Sequence, residues 1–178
     1  METTAPSKMN MCWAACLGDC SDKISGEHIV TAGIFSSEKV HVQGFPWCMD
    51  APEEIGLASA VKKVLCTEHN SRLSPVDEAV IRVFGALREA VRLSDMRSKA
   101  PLRRWPNVKF DVDGINLERW CLKTLITLSI GGSLPLGPHP KDAETPDENF
   151  IRICFGMNRF QAPNGLYVAS EIGDEMKM

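Results

Sequence analysis

The cysteines are unevenly distributed along the chain, and this distribution constrains the fold more than any other feature of the sequence. Cys12, Cys16 and Cys20 recur every fourth residue near the N-terminus. Far along the chain, Cys66 lies three residues before His69. The total of seven cysteines is odd, and no apolar secretory leader accompanies them, which argues against a disulfide framework. A short-spaced cysteine pair followed at a distance by Cys-x-x-His has the number and kind of ligands that tetrahedral zinc requires.

Two choices of the first ligand pair are compatible with the spacing. We favour Cys16 with Cys20, because Gly18 between them permits a tight turn. Cys12 with Cys16 stays open as an alternative. Four protein ligands close the coordination shell, so the predicted zinc is structural, and it would supply folding free energy to a segment poor in apolar residues. The predicted zinc ligands are Cys16, Cys20, Cys66 and His69.

The composition is that of an ordinary globular protein. Apolar residues make up 44% of the 178 residues and charged residues 24%, which fits one domain, or one domain with a small module. No apolar run approaches the roughly 18–20 residues that a membrane span requires, and no signal-peptide core is present. We therefore expect a cytoplasmic protein with no membrane partner.

Periodicity and turn residues predict an α+β fold. Ser74 and Pro75 suit the N-cap and first position of a helix reaching residue 94, and Asn116 suits the start of a second helix that ends at Gly131 and Gly132. Strand-like patterns cover residues 108–112, 150–155 and 165–169. The expected organisation is a flexible tail at residues 1–10, a zinc-bound finger at 11–79, and at 80–178 a mostly helical body with a small C-terminal β-sheet, packed as one unit with the finger.

Three polar residues flank the predicted zinc ligands. Glu27 and His28 are adjacent on a short strand-like segment, and Asn70 directly follows ligand His69. If one zinc ion joins the two halves of the finger, the elements that carry these residues lie side by side. Each residue alone also has a structural interpretation, and Asn70 in particular could simply cap a turn.

The order Cys-x(n)-Cys, acid-His-Ile, Leu-Cys-x-x-His-Asn-Ser-x-Leu-Ser-Pro-x-Asp resembles the HNH, or His-Me finger, nucleases. It is most similar to their zinc-containing branch, which includes the phage junction resolvase endonuclease VII, and to bacterial and phage proteins with the same motif. The resemblance covers roughly residues 12–78. The chain departs from the family pattern in its Cys-x-x-x-Cys spacing and in having Ile29 and Val30, without a proline, after the acid-His pair.

The resemblance implies a treble-clef, or ββα-metal, finger with nuclease activity. His28 would act as the general base that deprotonates the attacking water. Glu27 and Asn70 would hold a divalent cation, magnesium or another, that polarises the scissile phosphate. DNA is the expected substrate and RNA a less favoured one, in a phage or bacterial defence setting.

The charge pattern offers weak support for nucleic-acid binding. The net charge is -3, so attraction to a polyanion depends on a local cluster between residues 80 and 104, where seven basic residues face two acidic ones. A solvated helix face explains this cluster equally well. The candidate contacts are Arg82, Arg88, Arg92, Lys99, Arg103 and Arg104.

Two other functions compete with the nuclease. A zinc module of the same shape could bind nucleic acid or protein without cutting. A hydrolase with Cys66 as nucleophile and His69 as base is the weakest alternative, because no third group orients the pair. The body after residue 79 could select the substrate, control access or form a homodimer.

Overall fold

A computed structural model describes residues 12–45, 48–130 and 146–167. The protein is α+β, as predicted, with two small antiparallel sheets and three helices in these residues. The strands are β1 (Ile24–His28), β2 (Lys39–Val42), β3 (Glu53–Gly56) and β4 (Val61–Cys66), and the helices are α1 (Thr67–Lys99), α2 (Gly114–Ser129) and α3 (Glu148–Cys154). The tail predicted at residues 1–10 lies outside the described residues.

Strand β1 pairs antiparallel with β4, and α1 follows β4 without an intervening residue. Ile24 lies opposite Cys66 and His28 lies opposite Val61, with an irregular register between Ser25 and Glu27. Strands β2 and β3 form a separate antiparallel pair within the connection between β1 and β4. The resulting β-β-α unit brings the start of α1 beside the start of β1.

Helix α1 begins at Thr67, so the start predicted at Ser74 is wrong. The Sγ of Cys66 caps the helix by accepting the backbone N–H of His69. Pro75 therefore lies inside the helix, where it lacks an N–H for the carbonyl of Ser71. Burial of the helix face that contains Leu73, Val76, Ala79, Val80 and Val83 offsets that lost hydrogen bond. The helix continues to Lys99, beyond the predicted end and across residues 79 and 80.

Helix α2 confirms the second predicted helix, although its cap is Asp113. The Asp113 side chain accepts the backbone N–H of Asn116, the residue predicted to cap the helix. The helix ends at Ser129, and the predicted terminating pair at 131–132 lies outside the described residues. Within the described residues, no helix is long and apolar enough to cross a membrane.

The prediction of a small C-terminal sheet is wrong for the described residues. Residues 150–154 belong to helix α3 and Phe155 is its C-cap, while the N-cap Asp147 accepts the backbone N–H of Asn149. The apolar residues Ile151, Ile153 and Cys154 of this short helix are buried in the same core as α2. Residues 108–112 and 165–167 form no strand, and residues 168–169 lie outside the described part.

The core lies where β4, α1, α2 and α3 meet the N-terminal cysteine segment. Its largest completely buried apolar side chains are Leu65, Leu73, Val76 and Ile126.

Lys62 links β4 to the end of α2 by hydrogen bonds, because its Nζ donates to the carbonyls of Thr127 and Ile130 at 3.1 and 2.7 Å. Burial lowers the pKa of Lys62, and the negative end of the α2 dipole favours its charged form.

Candidate metal centre and adjoining cavity

Three thiols and one imidazole meet at the junction of the N-terminal segment, β4 and α1. The Sγ atoms of Cys12, Cys20 and Cys66 and a ring nitrogen of His69 lie within 4.8 Å of one another. His69 Nδ1 is 3.4, 3.6 and 3.2 Å from those Sγ atoms in that order. A tetrahedral zinc ion with ordinary Zn–S and Zn–N bonds separates sulfur from nitrogen by about 3.6 Å. The Cys3His cluster could therefore hold one metal ion, and its dimensions suit zinc.

Cys12 takes the place that the sequence analysis assigned to Cys16. Cys12 is buried, whereas Cys16 is exposed on a short 3-10 turn, Ala15–Leu17, and does not belong to the cluster. The N–H of Trp13 donates to the carbonyl of Val64 at 2.9 Å, and this bond holds Cys12 beside β4. The first pair is thus Cys12 with Cys20, which differs from both pairs that the spacing suggested.

The turn between the two ligands explains why Cys16 is excluded. After Ala15–Leu17 the chain reverses through Gly18 and Asp19, which have φ angles of 79° and 55°. This left-handed backbone favours glycine and tolerates aspartate. The reversal returns Cys20 to the cluster and leaves the turn, with Cys16, on the surface.

Aromatic side chains enclose the imidazole of the cluster. His69 is completely buried, and its ring meets that of Phe155 edge-on at a centroid distance of 5.4 Å. Phe155 also meets Trp13 at 5.7 Å, and the guanidinium of Arg72 covers its face at 5.3 Å. Within the described residues, His69 Nε2 has no hydrogen-bond partner. The α3 end of the body thereby shields the cluster from water.

The surroundings of the cluster raise the pKa values of two of its residues and lower those of the other two. Burial and the neighbouring Cys12 and Cys66 raise the pKa of Cys20 to about 12, and burial also raises the pKa of Cys12. Burial acts in the same direction on Cys66, but the backbone N–H groups of His69 and Ser21 outweigh it and lower that thiol's pKa. Burial, followed by the charge of Arg72, lowers the pKa of His69 and favours the neutral, metal-binding imidazole.

We expect the metal affinity of the cluster to fall with falling pH. The raised pKa values of Cys12 and Cys20 keep both thiols protonated at neutral pH in the metal-free protein, so zinc must displace their protons. Between about pH 8 and about pH 6, each displaced proton should weaken apparent zinc binding about tenfold per pH unit. Competition titration with a chromophoric chelator at several pH values measures this slope.

The metal-free protein supplies the control for that titration. A folded-state thiol pKa raised to about 12 contributes stability that is fully present below the unfolded pKa near 9 and is lost as the pH rises from there through 12. In the chelator-treated protein, Cys12 and Cys20 therefore add no pH dependence to the free energy of unfolding between about pH 8 and about pH 6. A zinc affinity independent of pH in that interval would contradict the prediction.

Glu27, His28 and Asn70 line one cavity of about 290 Å³ beside the cluster. Glu27 and His28 are the last residues of β1, and Asn70 lies in the first turn of α1. Asn70 Nδ2 donates to Ser25 Oγ at 2.8 Å, which leaves the amide oxygen as the remaining acceptor. The other lining residues are Gly26, Thr31, Ala32, Gly33, Ser74 and Asp77. The three sequence-predicted residues are therefore neighbours in the fold.

A buried ion cluster forms one side of this cavity. Lys123 Nζ lies 2.5 Å from Glu27 Oε1 and 2.6 and 2.7 Å from the two carboxylate oxygens of Asp77. Glu27 and Lys123 are almost inaccessible to water. Burial raises the pKa of Glu27, and the ammonium of Lys123 opposes that rise. Thr31 Oγ1 donates to Asp77 and accepts from Trp120 Nε1.

The sequence analysis missed Asp77 and Lys123. An acid three residues after the predicted N-cap Ser74 suits the positive end of a helix dipole, but α1 begins at Thr67, so Asp77 lies in the helix interior. A signal for Lys123 existed, since it is the one charged residue in the mostly apolar stretch 120–130. A buried lysine needs an anionic partner, but the sequence does not say which.

The candidate nucleic-acid contacts are mostly engaged within the protein. Arg88 donates to the carbonyl of Ile34 at 2.6 Å, Arg103 covers the ring of Trp105 at 4.9 Å, and Arg104 is exposed. The ion pairs along α1 are Arg82–Glu78, Arg92–Glu89 and Lys99–Asp95. These pairs partly neutralise the basic cluster and reduce the attraction it can exert on a polyanion.

Comparison with known proteins returned no match to a protein-family model, a curated protein or a solved structure. The interpretation of the site therefore depends on its own chemistry. That chemistry consists of a Cys3His cluster able to hold a metal ion and, beside it, a polar cavity with an imidazole, an amide and two carboxylates.

Proposed function

We propose that the protein is a metal-dependent endonuclease of the HNH type, acting on DNA. The observation that carries the proposal is that Glu27, His28 and Asn70, contributed by β1 and α1, line the same cavity next to a zinc-type cluster. An imidazole beside oxygen donors is the combination that phosphodiester hydrolysis uses for proton transfer and charge stabilisation. RNA is the less favoured substrate.

The chain's own residues suggest how the reaction would run. The imidazole of His28 would accept a proton from a water molecule as that water attacks phosphorus, and the bond to the leaving 3'-oxygen would break. The Asn70 amide oxygen and the Glu27 carboxylate would hold a hard divalent cation, which prefers oxygen ligands. When bound, that cation supplies polarisation of the phosphate and stabilisation of the leaving oxygen.

The charge of the cavity is compatible with such a cation. The carboxylates of Glu27 and Asp77 together carry two negative charges, and Lys123 compensates one of them. The remaining negative charge favours a divalent cation over an anionic ligand. Structural zinc at Cys12, Cys20, Cys66 and His69 would keep β4 and α1 in register with β1, and so keep His28 and Asn70 on the same cavity.

A non-catalytic zinc module is the second candidate, and two observations favour it. The carboxylates of Glu27 and Asp77 already have a cation in Lys123, at distances of 2.5 to 2.7 Å. The basic side chains of α1 are mostly paired. A protein of this kind would retain zinc and bind a nucleic acid or protein without hydrolysing it.

Replacement of His28 by alanine is expected to lower magnesium-dependent nicking of plasmid DNA by about 10²- to 10⁴-fold, the usual contribution of a general base. His41→Ala is the matched control, because His41 is exposed on β2 and does not line the cavity. Zinc per chain should be equal in the parent and both variants. Equal zinc with no cleavage of DNA or RNA by the parent would favour the binding module, and equal nicking by parent and His28→Ala would remove His28 from the mechanism.

A further inference from the structure

The connection between α1 and α2 contains an unpaired, strand-like segment on the surface. Residues 107–112 form no helix, strand or turn, and none of their backbone groups bonds to another backbone group within the described residues. Val108, Phe110 and Val112 are 46, 40 and 52% exposed, an unusual exposure for three apolar side chains so close together. Alternation of apolar and charged residues is the pattern of a half-buried β-strand, and within the described residues no strand pairs with this segment.

Both ends of the segment are held in place. Arg97 donates to the carbonyl of Pro106 at 2.8 Å, and Trp105 Nε1 donates to the carbonyl of Ala100 at 3.1 Å. At the other end, Asp113 caps α2. A segment anchored at both ends loses less conformational entropy when it binds a partner than a free tail would.

The order of side chains in the segment matches a second copy of itself. In an antiparallel pair centred on Phe110, Val108 lies opposite the other copy's residue 112, and Lys109 lies opposite its residue 111, an aspartate. Aromatic, β-branched and opposite-charge cross-strand pairs all stabilise a sheet. Shifting the centre by one residue in either direction sets Lys109 against Lys109 or Asp111 against Asp111, which disfavours those registers.

The charged side chains of the segment are exposed, so their ion pair within one chain can be replaced by ion pairs between two chains. Lys109 Nζ and Asp111 Oδ1 are 2.9 Å apart within one chain, and both side chains are more than four-fifths exposed. Because they alternate with the apolar residues, they share the face opposite to Val108, Phe110 and Val112. Pairing would therefore place the apolar side chains of the two copies side by side on one face of a two-stranded sheet, and it would exchange two intrachain ion pairs for two interchain ones.

We propose that residues 107–112 form a self-recognition strand through which two copies of this protein associate as a two-fold symmetric dimer. The partner of this strand is the same segment of a second chain, in the antiparallel register centred on Phe110. The proposal does not depend on the nuclease activity, since none of these residues lines the cavity beside the metal cluster.

Charge reversal tests the register directly. In a homodimer, Lys109→Glu alone sets two acidic side chains opposite each other, and Asp111→Lys alone sets two lysines opposite each other. Each reversal should weaken homodimerisation about tenfold, because two cross-strand pairs change from attractive to repulsive. An equimolar mixture of the two variants restores opposite charges at both positions and should associate as strongly as the parent. Sedimentation velocity over a concentration series measures all three, and circular dichroism verifies the folding of the exposed-site variants.

The double variant Lys109→Glu/Asp111→Lys is the matched control, since it keeps the opposite charges at both positions and should dimerise like the parent. A parent that stays monomeric at every concentration would overturn the proposal. A dimer that neither single reversal weakens, or a mixture that associates no better than each variant alone, would overturn it as well.

Discussion

Replacement of Cys12 by serine is expected to release the metal ion and to destabilise the β1–β4–α1 unit, whereas Cys16→Ser should leave both metal content and stability unchanged. Cys12 is one of the four clustered residues that could hold the metal ion, while Cys16 is exposed outside the cluster. Structural zinc contributes roughly 10–16 kcal/mol of binding free energy in small zinc domains. Loss of one of four ligands should forfeit enough of that energy to unfold the finger segment.

Zinc per chain, measured by mass spectrometry on the purified proteins, separates the two variants. The parent and Cys16→Ser should each hold one zinc ion, and Cys12→Ser should hold much less. Thermal unfolding with and without a chelator then links metal loss to stability, since only proteins that hold zinc should respond to the chelator. Zinc loss from Cys16→Ser together with retention by Cys12→Ser would reverse the ligand assignment.

Replacement of Lys123 by methionine is expected to lower the free energy of unfolding by about 3–5 kcal/mol, the usual effect of removing one partner from a buried ion pair. Lys123 is almost wholly buried and is the cation shared by Glu27 and Asp77. Methionine preserves much of the side-chain volume, so the main change is an uncompensated buried charge. Lys63→Met on the exposed side of β4 is the control and should change stability little.

A compensating variant distinguishes lost charge balance from lost packing. Adding Glu27→Gln and Asp77→Asn to Lys123→Met removes the stranded carboxylate charges and should recover a large part of the lost stability. Urea unfolding followed by circular dichroism gives the free energies. If the triple variant is as unstable as Lys123→Met, packing and not charge explains the role of Lys123.

Helix α1 begins earlier than local sequence rules predict. Ser74-Pro75 is a strong helix-start signal, yet the helix begins at Thr67 because β4 runs directly into it and the Cys66 thiol caps it. The capping group also belongs to the Cys3His cluster, so the helix start depends on the same residues that could hold a metal ion.

The largely apolar residues 150–155 have a strand-like pattern, but the Asp147 cap and the burial of one face select a helix in α3.

The sequence by itself determined the kinds of groups at this site: two ligands at Cys66 and His69 from their i, i+3 spacing, the adjacency of Glu27 and His28, and the position of Asn70 directly after a ligand. These features are local, and the spacing of residues along the chain is the same in any fold. Only the tertiary structure decided that Cys12 and not Cys16 completes the cluster, because the backbone reversal after Ala15–Leu17 and the Trp13–Val64 hydrogen bond determine which thiol points inward. Only the tertiary structure also showed that Lys123 pairs with Glu27 and Asp77. The partner of a buried charge depends on the packing of segments that are distant in sequence, and sequence spacing does not reveal that packing.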